Sequence, residues 1–258
     1  MSTSPKATET PAAAPAPRRG PGALVIVALA VVVLISAALV GYAVHLRSQQ
    51  LANQNPLLRP SGTPSSISTS LANEMSLSAL PGRAAPNFTL TDQSGRTMSL
   101  ADFKGRAVVL EFMDPHCIDI CPLVSQEFID AYHNLGARAQ RVVFMAINVN
   151  QYHASVQAMA TFSVAHRLNT IPSWHFFTGP TPALAAAWQA YGIQVSAPNP
   201  RADILHTSVM YVIDPQGRER FIASPQVDHS GTGKAFLPAA TITDWGHGIA
   251  DLAQSLTH

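Results

Sequence analysis

The segment Ala107-Val-Val-Leu-Glu-Phe-Met113, continued by Asp114-Pro-His-Cys-Ile-Asp-Ile-Cys-Pro122, carries most of the information on how this chain folds. A short and nearly continuous apolar run is typical of a central strand that is buried on both faces. The residues after it follow a helical pattern, with apolar side chains on one face at Val124, Phe128, Tyr132 and Leu135. The segment therefore predicts a buried strand that passes through a cysteine-containing loop into a helix.

Further strands and helices alternate on the C-terminal side of this segment. The predicted elements are strands at 141–147 and 174–178, helices at 154–167 and 182–191, and hairpins at 87–100 and 207–222. A last helix carries apolar residues at three- and four-residue steps: Ile242, Trp245, Ile249, Leu252 and Leu256. This order predicts an α/β domain over residues 85–258, with a mixed central sheet flanked by helices.

Residues 23–46 are predicted to be a single transmembrane helix that anchors the chain. The run from Ala23 to Val44 holds no charged residue, and a helix needs about 20 apolar residues to cross the hydrocarbon core. Three basic residues precede this run and only Arg47 follows it closely, which places the N-terminus in the cytoplasm by the positive-inside rule. A cleaved signal peptide is the alternative, but its apolar core is shorter, about 7–15 residues. On either hypothesis the main domain is extracytoplasmic.

The segments on either side of the anchor have the composition of unfolded chain. Residues 1–22 are rich in Ala, Pro, Ser and Thr, which predicts a disordered cytoplasmic tail. Residues 47–84 are rich in Ser, Asn, Pro and Gly, which predicts a flexible linker. The linker also holds a modest apolar cluster at Met75, Leu77 and Leu80, which offers the alternative that it packs on the domain. A solvated spacer is the interpretation adopted here.

The overall charge and the cysteine content exclude two classes of protein. A formal net charge of +1 offers no strongly basic surface, so we do not expect nucleic acid as a partner. The chain has two cysteines, Cys117 and Cys121, in one short loop. A disulfide framework joins distant loops, so this spacing argues against a disulfide-stapled scaffold and favours redox chemistry or metal binding.

The position of the two cysteines favours paired thiolates. If Cys121 begins the helix, Pro122 lies in its first turn, where the missing N–H costs nothing. The N-terminus of a helix stabilises negative charge and lowers the pKa of a nearby thiol. Paired thiolates suit a soft ion such as Cu(I), and an imidazole would fill the third position of a trigonal site.

The residues alone do not decide which histidine would be the third ligand. The chain has ten histidines. His116 is adjacent to Cys117, but neighbouring side chains tend to point apart. His206 stands immediately before an apolar strand, and ligands gather at such transitions between strands and loops in α/β domains. Position therefore favours His206 and leaves a histidine with a merely structural role as the alternative.

The chain resembles the Sco/SenC copper-binding proteins of the thioredoxin superfamily over essentially residues 85–258. The shared motifs are Phe88-Thr-Leu-Thr-Asp-Gln-Ser-Gly95, Leu100-Ala-Asp-Phe-Lys-Gly105, His116-Cys-Ile-Asp-Ile-Cys-Pro122, Trp174-His-Phe-Phe-Thr-Gly179, Ala187-Trp-Gln-Ala-Tyr-Gly192 and His206-Thr-Ser-Val-Met-Tyr-Val-Ile-Asp-Pro-Gln-Gly217. A CxxxC motif alone is weak evidence of such a relationship. The cysteine pair between a strand and a helix, with a distant His-Thr before a strand that ends in Asp-Pro-x-Gly, is quite specific.

The resemblance implies a thioredoxin-like fold and a copper site formed by Cys117, Cys121 and His206. It implies that this site holds Cu(I), and Cu(II) as a further form, and that the cysteines can also form a disulfide. It further implies a metallochaperone that helps to build the dinuclear copper site of cytochrome c oxidase. The implied partners are the oxidase subunit that carries this site and a copper donor or thiol reductant.

The sequence departs from the family pattern at two places. Ile118 stands where Pro usually follows the first cysteine. An acidic Asp-Pro…Arg-Asp motif is also missing after the next strand, where the chain reads Ile147-Asn-Val-Asn-Gln-Tyr-His153. Neither departure affects the three residues that the resemblance implies as copper ligands.

A membrane-anchored thiol–disulfide oxidoreductase that reduces exported proteins is the alternative function. Enzymes of that kind generally use C-x-x-C, so the wider spacing here favours the metallochaperone. A thiol peroxidase would need a different context around its cysteine. Asp114 and Asp119 are candidates to tune the thiolates or to offer an oxygen ligand, although a solvated carboxylate is the simpler expectation. His229 and His247 are expected to be structural or exposed.

Overall fold

A computed structural model describes residues 59–257, together with the isolated positions Val31 and Ser36. The predicted tail at 1–22 lies outside the described residues. The predicted anchor at 23–46 also lies outside them, apart from Val31 and Ser36, and so do residues 47–58 of the predicted linker. Within the part of the chain that is described, no helix is both long and apolar enough to cross a membrane.

Five α-helices and twelve strands are present in residues 59–257, numbered here along the chain. The helices are α1 (Thr69–Glu74), α2 (Ile120–Leu135), α3 (Val156–Ala165), α4 (Thr181–Ala190) and α5 (Ala239–Ser255). The longer strands are β2 (Thr89–Thr91), β3 (Thr97–Ser99), β4 (Ala107–Met113), β5 (Val142–Asn148), β6 (Trp174–Phe177), β9 (Met210–Ile213) and β10 (Glu219–Ala223). The two-residue strands are β1 (Ser78–Ala79), β7 (Val195–Ser196), β8 (Leu205–His206), β11 (Asp228–His229) and β12 (Ala235–Phe236).

The central sheet has six strands in the order β1-β10-β9-β4-β5-β6. The pairs β4–β5 and β5–β6 are parallel, whereas β9 joins β4 from the other side in the antiparallel direction. The helices α2 and α3 provide the long connections that parallel neighbours require. The sequence-based expectation of an α/β domain with a mixed sheet is therefore confirmed.

Helices cover both faces of this sheet because successive side chains of a strand point to opposite sides. Val109 and Met113 of β4 belong to a core that includes Phe128 of α2 and Trp245 of α5. On the alternate positions of β4, Val108, Leu110 and Phe112 belong to a second core that includes Trp188 of α4. All seven residues of β4 are buried, as its nearly continuous apolar sequence predicts.

The two predicted hairpins are confirmed. In the first, β2 pairs with β3 around the turn after Thr91, and Asp92 accepts backbone hydrogen bonds from Ser94 and Arg96 within that turn. In the second, β9 pairs with β10, and Asp214 accepts backbone hydrogen bonds from Gln216 and Arg218. An aspartate that bonds backbone N–H groups two residues onward stabilises a turn locally, so both hairpins were visible in the sequence.

The expectation of a flexible linker up to residue 84 is wrong for its C-terminal part. Residues 67–80, called here the strap, include α1 and then β1, which pairs with β10 at the edge of the sheet. Four apolar side chains of the strap are buried in the core: Ile67, Ala72, Met75 and Leu77. Gly248 of α5 leaves space for it, since a Cβ there would lie 2.8 Å from Sδ of Met75. The folded domain therefore begins well before residue 85.

Two glutamates lie in the interior without a cationic partner among the described residues. Glu111 of β4 is 2 % exposed and Glu127 of α2 is 1 % exposed, and Oε2 of each has no hydrogen-bond partner in the described part of the chain. Burial raises the pKa of both carboxyls well above 4.5, and the nearby Glu127 raises the pKa of Glu111 further. Burial therefore favours the neutral form of both side chains.

Shortening a buried side chain of the strap should destabilise the whole domain. We expect Met75→Ala to lower the free energy of unfolding by about 2–5 kcal/mol, as for other buried side chains that leave a cavity. The matched control is Asn73→Ala on the exposed side of α1, for which we expect less than about 0.5 kcal/mol. Urea denaturation measures both values, and similar values for the two variants would show that the strap is not part of the core.

Glu111 should make the stability of the domain fall as the pH rises. A carboxyl with a raised pKa in the folded state stabilises the fold fully below its unfolded pKa of 4.5, and this contribution is lost as the pH rises through its folded pKa. In urea denaturation at pH 8, the free energy of unfolding of Glu111→Gln should therefore exceed that of the wild type by at least about 1 kcal/mol. At pH 5 the two proteins should have similar free energies of unfolding. Asp228→Asn, which removes an exposed carboxyl, is the control, and equal pH slopes in wild type and Glu111→Gln would contradict the expectation.

Candidate functional site

The cysteine loop lies where the central strand ends and α2 begins. The chain leaves β4 at Met113, and α2 begins at Ile120 with Cys121 and Pro122 in its first turn. The predicted position of Cys121 at the start of a helix is confirmed. Packing of the apolar face of α2 against the sheet fixes the start of the helix, and with it one of the two sulfur atoms.

The two thiols are neighbours but differ in their surroundings. Cys121 is 2 % exposed, whereas Cys117 is partly exposed, and both are free thiols in this structure. The backbone N–H of Cys121 donates to Sγ of Cys117 at 3.4 Å. A hydrogen bond from the Cys121 thiol, helped by backbone N–H groups, lowers the pKa of Cys117 to about 7 against the opposing effect of burial. The same bond and burial raise the pKa of Cys121.

The thiol pair is therefore asymmetric. Cys117 is the group that is ionised near neutral pH, and its thiolate is the better nucleophile and metal ligand. Cys121 retains its proton and stabilises that thiolate. A metal ion that binds both sulfurs would have to displace the remaining proton.

His206 lies on the wall of the cavity that Cys117 opens into. The cavity has a volume of about 670 Å³, and its lining includes Asp114, His116, Cys117 and His206. His206 is the second residue of β8, which pairs with β7 through Val195. The loop between these strands therefore brings the imidazole to the cavity that Cys117 also lines.

The ring of His206 is held in the form that a metal ligand requires. Its Nδ1 lies 3.0 Å from the carbonyl oxygen of Thr207, and a carbonyl only accepts, so Nδ1 carries the proton. The lone pair of Nε2 is therefore available. Burial lowers the pKa of His206, against smaller opposing effects of Thr207 and Asp114, and so favours the neutral ring.

Cys117 and His206 line the same cavity, but the three candidate ligands are not gathered into a cluster. Among residues 59–257, no three His, Cys, Asp or Glu side chains lie close enough together to hold a metal ion. The structure thus pairs Cys117 with Cys121 and brings His206 to the cavity that Cys117 lines. The assignment of these three residues as ligands stays a prediction.

Asp114 is a buried carboxylate at the same cavity. It is 8 % exposed, and its Oδ1 accepts from the backbone N–H of His116 at 2.8 Å and from Nδ2 of Asn150 at 3.0 Å. The expectation of a solvated carboxylate is wrong for this residue. Its negative charge raises the pKa of Cys117 and the pKa of His206. Other effects are larger, so the net pKa of each group is still lowered.

The loop after β5, where the sequence departs from the Sco/SenC pattern, positions Asp114. Asn148 and Asn150 are both buried, and Oδ1 of Asn148 accepts from the backbone N–H of Asn150 at 2.7 Å. Oδ1 of Asn150 in turn accepts from the backbone N–H of Tyr152 at 3.0 Å. The neutral amides of Asn148 and Asn150 thus occupy the place of the missing acidic motif. Asn150 connects them to the carboxylate of Asp114.

A second contact to the cysteine loop was not expected from the sequence. Nε2 of His229 lies 3.0 Å from both carboxylate oxygens of Asp119, and both side chains are about half exposed. His229 belongs to β11, whose hairpin with β12 also contributes Gly233 and Lys234 to the cavity lining. Strands of two residues have no visible periodicity, so the sequence carried no clear signal for this hairpin.

The remaining histidines near the loop do not add an obvious ligand. The ring of His116 stacks on the ring of His153 with centroids 3.6 Å apart, an arrangement that does not direct two nitrogens at one ion. His247 is exposed on α5, as expected. The structure therefore keeps His206 as the best-placed imidazole.

Comparison with known proteins supports the resemblance seen in the sequence. Residues 78–232 match the family model described as SCO1/SenC. A SCO1 protein homolog of Bacillus subtilis is 24 % identical over 133 residues, which cover 51 % of this chain and 68 % of that protein. A chloroplastic peroxiredoxin Q of rice is 42 % identical over 62 residues, but these cover only 24 % of this chain and 29 % of the rice protein.

A solved structure shows the same fold. The copper-bound ScoI of Bradyrhizobium japonicum is 20 % identical, and the match covers 67 % of this chain and 99 % of that protein with a TM-score of 0.53. This likeness confirms the fold that the resemblance implies. At this level of identity it does not by itself assign ligands.

The asymmetry of the thiols predicts their reactivity. The rate at which iodoacetamide alkylates Cys117 should rise with pH around a midpoint near 7. Cys121→Ala should raise this midpoint by about one to two units, because a hydrogen bond to a charged group contributes about 1.5–3 kcal/mol. Cys121→Ser, which keeps an O–H donor, should raise it less. Mass spectrometry of the alkylated protein measures the rates, and an unchanged midpoint in Cys121→Ala would disprove the proposed bond between the thiols.

Proposed function

Because the chain belongs to the SCO1/SenC family, we propose that it binds copper through Cys117, Cys121 and His206. The observation that carries this proposal is the cavity lined by both Cys117 and His206, since the Nε2 lone pair of His206 is available and Cys117 is bonded to the N–H of Cys121. Thiolates and a neutral imidazole are soft and intermediate donors, which suit Cu(I) in a three-coordinate site. The likeness to a copper-bound ScoI adds support at the level of the fold.

Copper binding must draw the three ligands together, since they do not form a cluster among the described residues. The movable part is the imidazole, because β7 and β8 pair through only two residues each and the loop between them includes the exposed Arg201 and Asp203. Cys121 lies in α2, and its N–H is bonded to Sγ of Cys117, so the sulfurs move less. We therefore expect copper to bind the sulfurs first and His206 to close on it.

A protein partner is proposed as the recipient of the copper. Ile118 at the tip of the cysteine loop is 93 % exposed and Leu205 beside His206 is 70 % exposed, and both line the cavity. Exposed apolar side chains around a site suit contact with another protein more than uptake of free ions. Following the family resemblance, the proposed recipient is the cytochrome c oxidase subunit with the dinuclear copper site, served from an extracytoplasmic domain on a membrane anchor. A separate copper donor or thiol reductant would complete the cycle.

A thiol–disulfide oxidoreductase is the second candidate, favoured by the low pKa of Cys117 and by the likeness to peroxiredoxin Q. In that reaction the Cys117 thiolate attacks a disulfide of the client and releases one client thiolate, which takes up a proton. Cys121, after loss of its proton, then attacks Sγ of Cys117 and releases the second client thiolate. The client gains two electrons and two protons, and the Cys117–Cys121 disulfide that remains requires an external dithiol to reduce it.

Anaerobic titration of the full, reduced chain with Cu(I) in the presence of a competing chelator tests the copper proposal. We expect one equivalent to bind, and His206→Ala and Cys117→Ser to weaken binding by about tenfold or more. His133→Ala, on the exposed face of α2, is the matched control and should leave the affinity unchanged. The Cys117–Cys121 disulfide should still form in His206→Ala, since exchange needs only the thiols.

The same experiment separates the two functions. Wild-type protein that fails to compete for Cu(I), yet cycles readily between dithiol and disulfide, would refute copper binding and support the oxidoreductase. Unchanged copper affinity in His206→Ala would refute this histidine as a ligand.

A further inference from the structure

The loop after β5, residues 148–153, is held in one conformation by the side-chain amide of Asn148. Its Nδ2 donates to the carbonyl oxygens of Asn150 at 3.0 Å and His153 at 3.3 Å, and its Oδ1 accepts from the backbone N–H of Asn150 at 2.7 Å. Nε1 of Trp188 on α4 donates to the carbonyl oxygen of Asn148 at 2.9 Å. Asn148 is fully buried, so these bonds form where water competes little for them. The loop is therefore a rigid part of the domain.

This loop contacts the cysteine loop through Asn150. Nδ2 of Asn150 donates to Oδ1 of Asp114 at 3.0 Å, and both side chains are buried. The same Oδ1 accepts from the backbone N–H of His116 at 2.8 Å, and the backbone oxygen of Asp114 accepts from the N–H of Cys117 at 3.1 Å. Asp114 thus orders the backbone that carries the first sulfur, and Asn150 holds Asp114 from the end of the neighbouring strand.

The same loop also contacts the hairpin of β7 and β8 through Tyr152. The hydroxyl of Tyr152 donates to the carbonyl oxygen of Ala197 at 2.9 Å. Ala197 directly follows β7, and Val195 of β7 pairs with His206 of β8. Tyr152 is itself held by its backbone N–H, which donates to Oδ1 of Asn150 at 3.0 Å. One loop therefore holds both the segment that carries Cys117 and the hairpin that carries His206.

We propose that Asn150 and Tyr152 are positioning residues that tie the cysteine loop and the hairpin of β7 and β8 to one rigid loop, and so set how His206 approaches the sulfurs. The inference rests on the proposed copper site and names residues outside it that determine its geometry. Ligands that are ordered before the ion arrives lose less conformational freedom when they bind it. Asn150 provides this order for the cysteine loop, and Tyr152 provides it for the base of the hairpin.

Two measurements on the full, reduced chain distinguish the two contacts. The first is the Cu(I) affinity in competition with a chelator, which depends on all three proposed ligands. The second is the equilibrium constant of the Cys117–Cys121 disulfide in a glutathione buffer, which depends on the sulfurs alone. A residue that orders the cysteine loop changes both quantities, whereas a residue that orders the hairpin of His206 changes the Cu(I) affinity alone.

Tyr152→Phe removes the hydroxyl and leaves the ring. We expect the Cu(I) affinity to fall about threefold or more, as for the loss of one hydrogen bond, and the disulfide constant to change less than about twofold. Because Tyr152 is 38 % exposed, this variant should fold as the wild type does. Tyr132→Phe makes the same change near the C-terminal end of α2, and this matched control should leave both quantities unchanged.

Asn150→Ala removes the amide without a change of charge. We expect both quantities to fall about fivefold or more, because a buried carboxylate loses a donor. Asn150→Asp should lower both as well, since it places a second carboxylate against Asp114. The double variant Asp114→Asn/Asn150→Asp exchanges the donor and the acceptor at constant net charge. It should recover both quantities to within about threefold of the wild type, because the bond between the two side chains can form again.

Urea denaturation checks that each variant folds. An unchanged Cu(I) affinity in Tyr152→Phe, or an equal fall of its disulfide constant, would overturn the role of Tyr152. A double variant as impaired as Asn150→Asp would overturn the role of Asn150. A wild type that does not bind Cu(I) would instead refute the proposed function. The disulfide constants of the Asn150 variants would still test the contact with the cysteine loop in that case, so the two failures are distinguishable.

Discussion

The burial of β4 on both faces of the sheet is the constraint on which the rest of the structure depends. This strand pairs with β5 in the parallel direction and with β9 in the antiparallel direction, so it must be apolar throughout apart from Glu111. Where it ends, the chain has to turn into α2, which covers one face through Phe128. The cysteine loop is the product of this turn. Its position follows from packing, and its chemistry follows from the residues placed there.

The protonation of the site is set by what surrounds each sulfur. Cys121 lies in the apolar core, and its hydrogen bond to Cys117 together with burial keeps its thiol protonated. Cys117 faces the cavity and receives hydrogen bonds, so it ionises more easily. Asp114 opposes that ionisation and favours a positive charge on its surroundings. The carboxylate of Asp114 thus makes the cavity attractive to a cation and makes the thiol of Cys117 harder to ionise.

Local signals explain most of what the sequence could predict. The hairpins carried aspartate turns, the helices carried apolar periodicity, and the two cysteines share one loop, so each was visible within a short window. His206 was harder, because its approach to Cys117 depends on the path of the loop between β7 and β8. The strap was misjudged since its apolar residues are few and surrounded by Ser and Asn. The burial of Asp114 could not be predicted, because carboxylates are rarely buried unless they are paired, and its partner Asn150 comes from the end of another strand.

The pairing of β1 with β10 has a consequence for the behaviour of the protein in solution. The edge of a sheet exposes a row of N–H and C=O groups that can pair with a strand of another molecule. With β1 in place, the backbone of β10 is occupied on both sides, by β9 and by the strap. A protease that cut the chain after β1 and released the strap would leave β10 as an open template. The segment that looks most dispensable in the sequence therefore protects the domain against aggregation.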